Sequence, residues 1–194
     1  MNKKLNANYW NDRYENGSIG WDIGYPSTPL KTYIDQLKDP NLKIVIPGGG
    51  NSYEAEYLYA KGFQNTFVVD VAQTAKDNFV NRCSNFPEAQ FLVQDFFTIE
   101  NQFDLILEQT FFCALDPTLR KAYSKKMYEL LKPNGKLVGL FFDFPLQDGP
   151  PYGGTKEEYF GYLNTYFDVH VLDRSYNSIP PRKGKELFLI AQRR

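Results

Sequence analysis

The stretch that most constrains the fold is residues 43–52, which read Lys-Ile-Val-Ile-Pro-Gly-Gly-Gly-Asn-Ser. An apolar run ends there in Pro47 and three consecutive glycines. Residues 52–61 have a helical composition, and Ser52 is a plausible N-cap for that helix. A strand, a glycine turn and a helix in this order bring backbone amides close to a small ligand at the carboxyl end of the strand. We therefore expect a ligand site at this turn.

The glycine spacing argues against a dinucleotide as that ligand. A dinucleotide-binding turn has the pattern G-x-G-x-x-G. Gly48 and Gly50 match its first two positions, but Tyr53 occupies the third. A phenol does not suit the close helix packing found around a pyrophosphate. A nucleoside-type ligand without phosphates fits the turn better.

The composition excludes several classes of partner. With 194 residues the chain is long enough for one domain with a real core. Its 22 basic and 23 acidic residues nearly balance, so we expect neither a nucleic-acid partner nor binding to an anionic membrane. No apolar stretch approaches the length of a membrane span. The aromatic content of 16% suits a pocket for a flat, partly apolar small molecule.

The cysteines and the single histidine do not indicate a metal site. Cys83 and Cys113 are too few for a disulfide framework or a Cys-rich zinc pattern, and reduced thiols in a cytoplasmic protein are expected. The N-terminal residues 1–8 are basic without a following apolar segment, so they are not a signal peptide. His170 lies within a predicted strand and is interpreted as structural.

Two acidic residues follow predicted strands. Asp70 ends the strand 66–70, about 20 residues beyond the glycines, where Rossmann-type sheets place a carboxylate that binds ribose hydroxyls. The alternative is that Asp70 only caps the next helix. Asp95 and Phe96 end the strand 90–94, and an acid beside an aromatic ring suits an adenine base.

The remaining elements complete an α/β pattern. We predict further helices at 8–16, 28–39, 72–82, 118–131 and 155–163, and further strands at 103–108, 136–142, 166–172 and 186–191. Residues 132–135 are predicted as a turn, and 143–154 as a long, functional loop. No helix separates the last two strands, so they should pair antiparallel. The prediction is a doubly wound, mostly parallel, seven-stranded Rossmann-like sheet with an antiparallel closing strand.

The N-terminal helix has two interpretations. Both tryptophans of the chain, Trp10 and Trp21, lie in the first 21 residues, and Tyr14 shares a helix face with Trp10. From periodicity alone, a buried aromatic stripe is favoured over a lid above the ligand.

Longer stretches resemble a known family. They are Tyr9-Trp10-Asn11-Asp12-Arg13-Tyr14, Gly20-Trp21-Asp22, Val45-Ile46-Pro47-Gly48-Gly49-Gly50, Phe103-Asp104-Leu105-Ile106, Phe111-Phe112-Cys113-Ala114, Met127-Tyr128-Glu129-Leu130-Leu131-Lys132-Pro133, Gly149-Pro150-Pro151-Tyr152 and Ile179-Pro180-Pro181-Arg182-Lys183-Gly184-Lys185-Glu186. Together they resemble the thiopurine S-methyltransferase-like group of class I methyltransferases, and within it the plant-type halide and thiol methyltransferases. The antiparallel closing strand is also the plan of that class.

The resemblance implies S-adenosylmethionine as the cofactor and assigns residues to it. It makes residues 1–40 a helical lid on a single domain whose core is 41–194. The cofactor-binding residues that it implies are Trp10, Tyr14, Trp21, Gly48, Gly50, Asp70, Asp95, Phe96 and Gln109. The implied acceptor-pocket residues are Phe111, Phe112, Asp143, Tyr152 and Arg182. Gln109 replaces an aromatic residue common in the halide and thiol branch, and Phe111 stands where thiopurine-acting members have Arg.

The implied reaction is methyl transfer to a small soft nucleophile such as a thiolate, a halide or a thiopurine-like sulfur. An anionic acceptor needs no strong general base, so alignment and exclusion of water can suffice. Arg182 would hold an anionic acceptor or else be a solvated loop cation. Cys113 is interpreted as a small buried residue. An NAD(P)-dependent reductase and a non-catalytic protein that binds S-adenosylmethionine are the alternatives.

Overall fold

Apolar segments separated by glycine turns build a central sheet in the computed structural model, which describes residues 5–194. The strands are β1 (Ile44–Pro47), β2 (Thr66–Asp70), β3 (Phe91–Val93), β4 (Phe103–Gln109), β5 (Leu131–Phe142), β6 (Phe167–Arg174) and β7 (Glu186–Arg193). The α-helices are α1 (Ala7–Glu15), α2 (Thr28–Ile34), α3 (Tyr53–Ala60), α4 (Gln73–Arg82), α5 (Arg120–Leu130) and α6 (Lys156–Leu163). Short 3₁₀ turns are Glu88–Gln90, Phe96–Thr98, Phe112–Ala114, Pro117–Leu119 and Pro180–Arg182.

The strand order confirms the predicted fold class. The described residues form a seven-stranded sheet in the order β3-β2-β1-β4-β5-β7-β6. Strands β1 to β5 pair in parallel, whereas β7 runs antiparallel to both β5 and β6. The chain reverses its direction of travel across the sheet between β1 and β4. In open α/β sheets the crevice at such a switch point, beyond the carboxyl ends of the strands, is where ligands bind.

Both faces of the sheet are covered, as expected for parallel strands. Successive residues of a strand point to opposite faces. Ile44 and Ile46 therefore pack with α2, α3 and α4, whereas Val45 packs with α5 and α6 on the other face. This packing fixes the strand ends that carry the site.

One local prediction was confirmed in part and two were wrong. Ser52 occupies the N-cap position of α3, but it adopts a left-handed conformation (φ 48°) and its hydroxyl finds no hydrogen-bond partner among residues 5–194. Helix α2 ends at Ile34 rather than near Asp39. It is followed by two hydrogen-bonded turns, in which the amides of Gln36 and Leu37 donate to the carbonyls of Tyr33 and Ile34. Residues 132–135 lie within β5, where the register against β4 shifts and Asn134 has a φ of 64°.

Several other predictions concern the histidine, the cysteines and the N-terminal residues. His170 is exposed on β6 and hydrogen bonds with Gln192. Cys83 and Cys113 are both buried and unpaired. Among residues 5–194, the structure contains no helix that is both long and apolar enough to cross a bilayer. The first four residues of the expected lid lie outside the described range.

Candidate active site

A cavity of about 680 Å³ opens beyond the carboxyl ends of β1, β2 and β4, at the switch point of the sheet. Its wall is mainly apolar and aromatic, which is typical of small-molecule sites. The described residues that line it are Leu5, Trp10, Arg13, Tyr14, Gly20, Trp21, Gly48, Val69, Asp70, Val71, Gln94, Phe96, Thr110, Phe111, Cys113, Ala114, Leu115, Asp116, Thr118, Leu119, Phe142, Pro150, Pro151 and Arg182.

The glycine turn forms one wall of the cavity and leaves room for aromatic side chains. Gly48 and Gly50 have φ values of 58° and 53°, a region that favours glycine. A Cβ atom on Gly48 would lie 2.1 Å from Cδ2 of Phe111, and one on Gly50 would lie 2.4 Å from the hydroxyl of Tyr14. Both glycines are therefore required for their conformation and for the space beside them.

Asp70 orders the start of a helix and also faces the cavity. Its Oδ1 accepts a hydrogen bond from the amide of Ala72 (2.9 Å), so it does order the start of α4. Its Oδ2 accepts from the amide of Gly50 (2.8 Å), and the half-buried side chain lines the cavity. Burial raises the pKa of Asp70, and the backbone amides of Ala72, Gly50 and Val71 oppose that rise. Because a carboxylate accepts about four hydrogen bonds, Asp70 keeps acceptor capacity for a ligand.

The β3 end separates the acid from the aromatic residue predicted beside it. Phe96 is buried, lines the cavity and packs on Phe111 with ring centroids 5.1 Å apart. Asp95 is exposed, and its Oδ1 accepts from the amide of Phe97 (2.9 Å). Gln94 lines the cavity in its place, although no sequence pattern had indicated it.

The aromatic residues of the N-terminal segment lie over the cavity. Trp21 contacts Trp10 and Tyr14 edge to face, with centroids 5.5 Å and 5.7 Å apart, and all three residues line the cavity. Helix α1 is attached to α4, since the amide of Thr74 donates to Asn11 Oδ1 (3.0 Å). All nine residues of α1 are described and none is fully buried; Trp10 and Tyr14 pack partly buried against the core and also line the cavity.

The carboxyl end of β4 contains a residue whose role the sequence did not reveal. Glu108 is fully buried, and its Oε1 accepts from the amides of Phe111 (2.6 Å) and Phe112 (3.0 Å). Burial raises the pKa of Glu108 to about 8. Thr110 has a φ of 58°, which is uncommon for a residue with a side chain, and it lines the cavity. The only sequence signal was an acid inside an apolar strand.

The predicted acceptor residues divide into two groups. Phe111 and Arg182 line the cavity. Phe112 is buried and stacks on Phe141 with centroids 4.8 Å apart, while Asp143 pairs with Arg174 (3.0 Å). The backbone amide of Tyr152 donates to the carbonyl of Cys113 (2.7 Å). These last three are absent from the described cavity wall, and their acceptor roles stay predictions.

Gln109 lies in a separate recess of about 50 Å³ behind the glycine turn. Its Oε1 is buried and makes no hydrogen bond within the described part of the chain. Its contact with a cofactor also stays a prediction.

S-adenosylmethionine fits the groups that this structure provides. Asp70 offers free acceptor capacity where a ribose diol would lie, and Val71, Gln94 and Phe96 form a largely apolar slot beside it. The glycine turn provides backbone without side chains, and the aromatic segment covers it.

Solved structures that share this architecture include methyltransferases. One is the 1,6-didemethyltoxoflavin-N1-methyltransferase of Burkholderia thailandensis, solved with 1,6-didemethyltoxoflavin and S-adenosylhomocysteine, which matches with a TM-score of 0.76 and 16% identity over 96% of this chain and 86% of its own. At that identity the likeness concerns the fold alone. Fold and site together define a class I, S-adenosylmethionine-dependent methyltransferase.

Sequence comparison narrows the class to a family. Residues 5–191 match Thiopurine S-methyltransferase (TPMT). A probable thiol methyltransferase 2 of Arabidopsis thaliana is 32% identical over 185 residues, which cover 91% of this chain and 81% of that protein. A thiocyanate methyltransferase 1 of Brassica oleracea is 34% identical, with coverage of 91% and 81%. The chain belongs to the thiopurine S-methyltransferase family, which confirms the resemblance and the expected cofactor.

Proposed function

We propose that this enzyme methylates the sulfur atom of small thiols that reach the site as thiolates. The observation that carries the proposal is the apolar acceptor end of the cavity, where Phe111, Leu115, Phe142, Pro150 and Pro151 surround the space beyond the glycine turn. The plant relatives named for thiol and thiocyanate methylation support a sulfur acceptor.

We propose the following cofactor contacts. Asp70 accepts hydrogen bonds from the ribose hydroxyls, and Phe96 contacts the adenine ring. Asp95, at the exposed rim beside Phe96, accepts from the exocyclic amine. Gly48 and Gly50 lack side chains and so allow the backbone to approach the cofactor closely. Trp10, Tyr14 and Trp21 cover the cofactor, and Gln109 contacts it from the recess behind the turn.

The bound cofactor supplies a methyl group activated on a sulfonium. The chain contributes alignment and a dry, apolar wall, and these accelerate displacement by holding the reacting atoms in line and removing water from the anion. Burial raises the pKa of Cys113. Its thiol contacts the carbonyl of Thr110 (3.1 Å), so it is held neutral and does not compete as a nucleophile. Because the proposed nucleophile is a thiolate, a thiol acceptor must lose its own proton before the methyl transfer.

Phe111 influences which sulfur compounds the cavity accepts. It contributes an uncharged ring where the resemblance places Arg in thiopurine-acting members, so we expect small alkyl and aryl thiols to be preferred over thiopurines. Phe112 and Tyr152 contribute indirectly, since Phe112 packs behind this wall and Tyr152 ties the loop of Pro150 to Cys113.

Turnover of a panel of alkyl thiols, aryl thiols, thiocyanate, iodide and a thiopurine, with labelled S-adenosylmethionine, tests the acceptor. We expect aryl and alkyl thiols to react fastest, with rates that rise with pH as the thiol ionises. Turnover of the thiopurine alone would refute the assignment. Calorimetry with S-adenosylhomocysteine tests the cofactor site, since Asp70→Ala should bind at least about tenfold more weakly than wild type.

We also propose that the enzyme works in the cytoplasm as a single domain with residues 1–40 as the lid. Two buried, unpaired cysteines support a reducing environment.

A further inference from the structure

Arg182 is a buried cation that joins the two ends of the chain. Its side chain belongs to the turn before β7 and is 8% exposed. Its Nη2 donates to the backbone carbonyl of Trp21 (2.6 Å), although 161 residues separate the two in sequence. Its own backbone is fixed, because its amide donates to Ile179 and its carbonyl accepts from Lys185. The turn before β7 therefore holds the backbone at Trp21.

The rest of the guanidinium faces buried carboxylates. Nη1 lies 3.5 Å from Oε1 of Glu186, which is 2% exposed. Burial raises the pKa of Glu54 and of Glu186, and the charge of Arg182 opposes the rise in both. Glu54 in turn accepts the backbone amide of Ser27 (2.8 Å). The positive charge of Arg182 thus offsets the negative charges of Glu54 on α3 and Glu186 on β7.

Trp10, Tyr14 and Trp21 form the aromatic cover of the cavity, and Trp21 contacts both of the others. Its ring contacts Trp10 and Tyr14, and the guanidinium of Arg13 lies 5.4 Å from it. The next residue, Asp22, accepts a hydrogen bond from the side-chain amide of Asn51 in the glycine turn. Asp22 also accepts from the hydroxyl of Tyr53 (3.4 Å), so Arg182 supplies one of three polar attachments that hold Trp21 and Asp22 to the core.

We propose that Arg182 is a positioning residue that holds Trp21 over the cofactor, and that it does not bind the methyl acceptor. Nη2 is engaged with the carbonyl of Trp21, and Nη1 is buried 3.5 Å from Glu186, which balances the charge of the guanidinium without forming a hydrogen bond to it. This assignment rests on the proposed function, in that the covered ligand is S-adenosylmethionine.

The tryptophans make a direct test possible, because Trp10 and Trp21 are the only two in the chain and both line the cavity. Intrinsic fluorescence therefore reports the cover during titration with S-adenosylhomocysteine. We expect Arg182→Gln to weaken binding roughly tenfold to a hundredfold, the range for hydrogen bonds to a charged group. Arg182→Lys should recover part of the affinity, since an ammonium can still donate to the Trp21 carbonyl.

The matched control is Lys183→Gln, which removes the same charge from the adjacent, exposed position and should bind as wild type does. The acceptor KM at saturating S-adenosylmethionine should stay unchanged in both Arg182 variants. If Arg182→Gln does not fold, Glu186→Gln keeps the Trp21 bond but removes the counter-charge. We expect it to lose several-fold in affinity for S-adenosylhomocysteine.

A higher acceptor KM with unchanged binding of S-adenosylhomocysteine would instead make Arg182 an acceptor site and overturn the proposal. An equal change in the KM of both substrates together with a lower Tm would show a purely structural role. If wild type fails to bind S-adenosylhomocysteine, the proposed function itself fails. If wild type binds it and all Arg182 and Glu186 variants bind equally well, only the positioning role fails.

Discussion

Replacement of Gly48 by alanine tests how closely the glycine turn and the acceptor wall fit together. Two costs add in this variant. An L-residue in the left-handed region, at the φ of 58° found here, costs about 1–2 kcal/mol. The new methyl would lie 2.1 Å from Cδ2 and 2.6 Å from Cγ of Phe111, so the ring must move. Overpacking of this kind costs about 1–3 kcal/mol, and we expect a total loss of about 2–5 kcal/mol in the free energy of unfolding.

Urea denaturation measures that loss, and Gly17→Ala is the matched control. Gly17 has a φ of 65°, but a Cβ atom there meets nothing within 4 Å. The control therefore has the conformational cost without the clash, and the difference between the two variants isolates the contact with Phe111. We expect that difference to be about 1–3 kcal/mol. Affinity for S-adenosylhomocysteine should fall in Gly48→Ala and change little in Gly17→Ala.

The substitution Phe111→Ala tests what causes the loss of stability in Gly48→Ala. If the clash with Phe111 is responsible, Phe111→Ala should destabilise wild type but should recover stability in the Gly48→Ala background, which gives a strong coupling in a double-mutant cycle. Equal destabilisation by Gly48→Ala and Gly17→Ala, or the absence of coupling, would refute the reasoning.

Two further substitutions test buried charges. In wild type the pKa of Glu108 rises from an ordinary 4.5 to about 8 on folding, so the folded state binds more protons between those values and stability falls with rising pH. The slope approaches ~1.4 kcal/mol per pH unit, and Glu108→Gln, scanned by urea denaturation from pH 5 to 8, should flatten it. Arg120 is 1% exposed and bonds to Glu158 (2.6 Å) and to the carbonyl of Gly153 (2.7 Å). Arg120→Met should therefore cost about 1–3 kcal/mol and raise the acceptor KM, because the loop of Pro150 loses its attachment; an unchanged KM would contradict this.

The parts of the site that lie within one β/α unit could be predicted from the sequence. The glycine turn and Asp70 are neighbours through a single strand–helix–strand connection, and their spacing reflects the geometry of that connection. Ser52 takes the predicted N-cap position but does not cap the helix with its side chain, because its own backbone is left-handed (φ 48°) where a capping residue normally has an extended conformation.

Contacts between distant segments could not be predicted in the same way. The bond from Arg182 to Trp21 and that from Arg120 to Gly153 depend on how the hairpin, the loop and the N-terminal segment pack, and periodicity carries no information about that packing. The resemblance singled out Arg182, and its bond to Trp21 is the contact from which we propose a positioning role.

Phe111 and Phe112 show why neighbouring aromatic residues take different roles. Phe112 stacks on Phe141 in the core, whereas Phe111 lies over Gly48 in the cavity. A sharp turn at Thr110 precedes both residues, and Glu108 holds that turn by accepting both of their amides. A buried carboxyl is costly unless it is hydrogen-bonded, so its retention under this turn is explained by the order it imposes on the acceptor wall. It follows that the shape of the acceptor pocket depends on Glu108, which touches neither the cavity nor the reacting sulfur, as much as on the rings that line it.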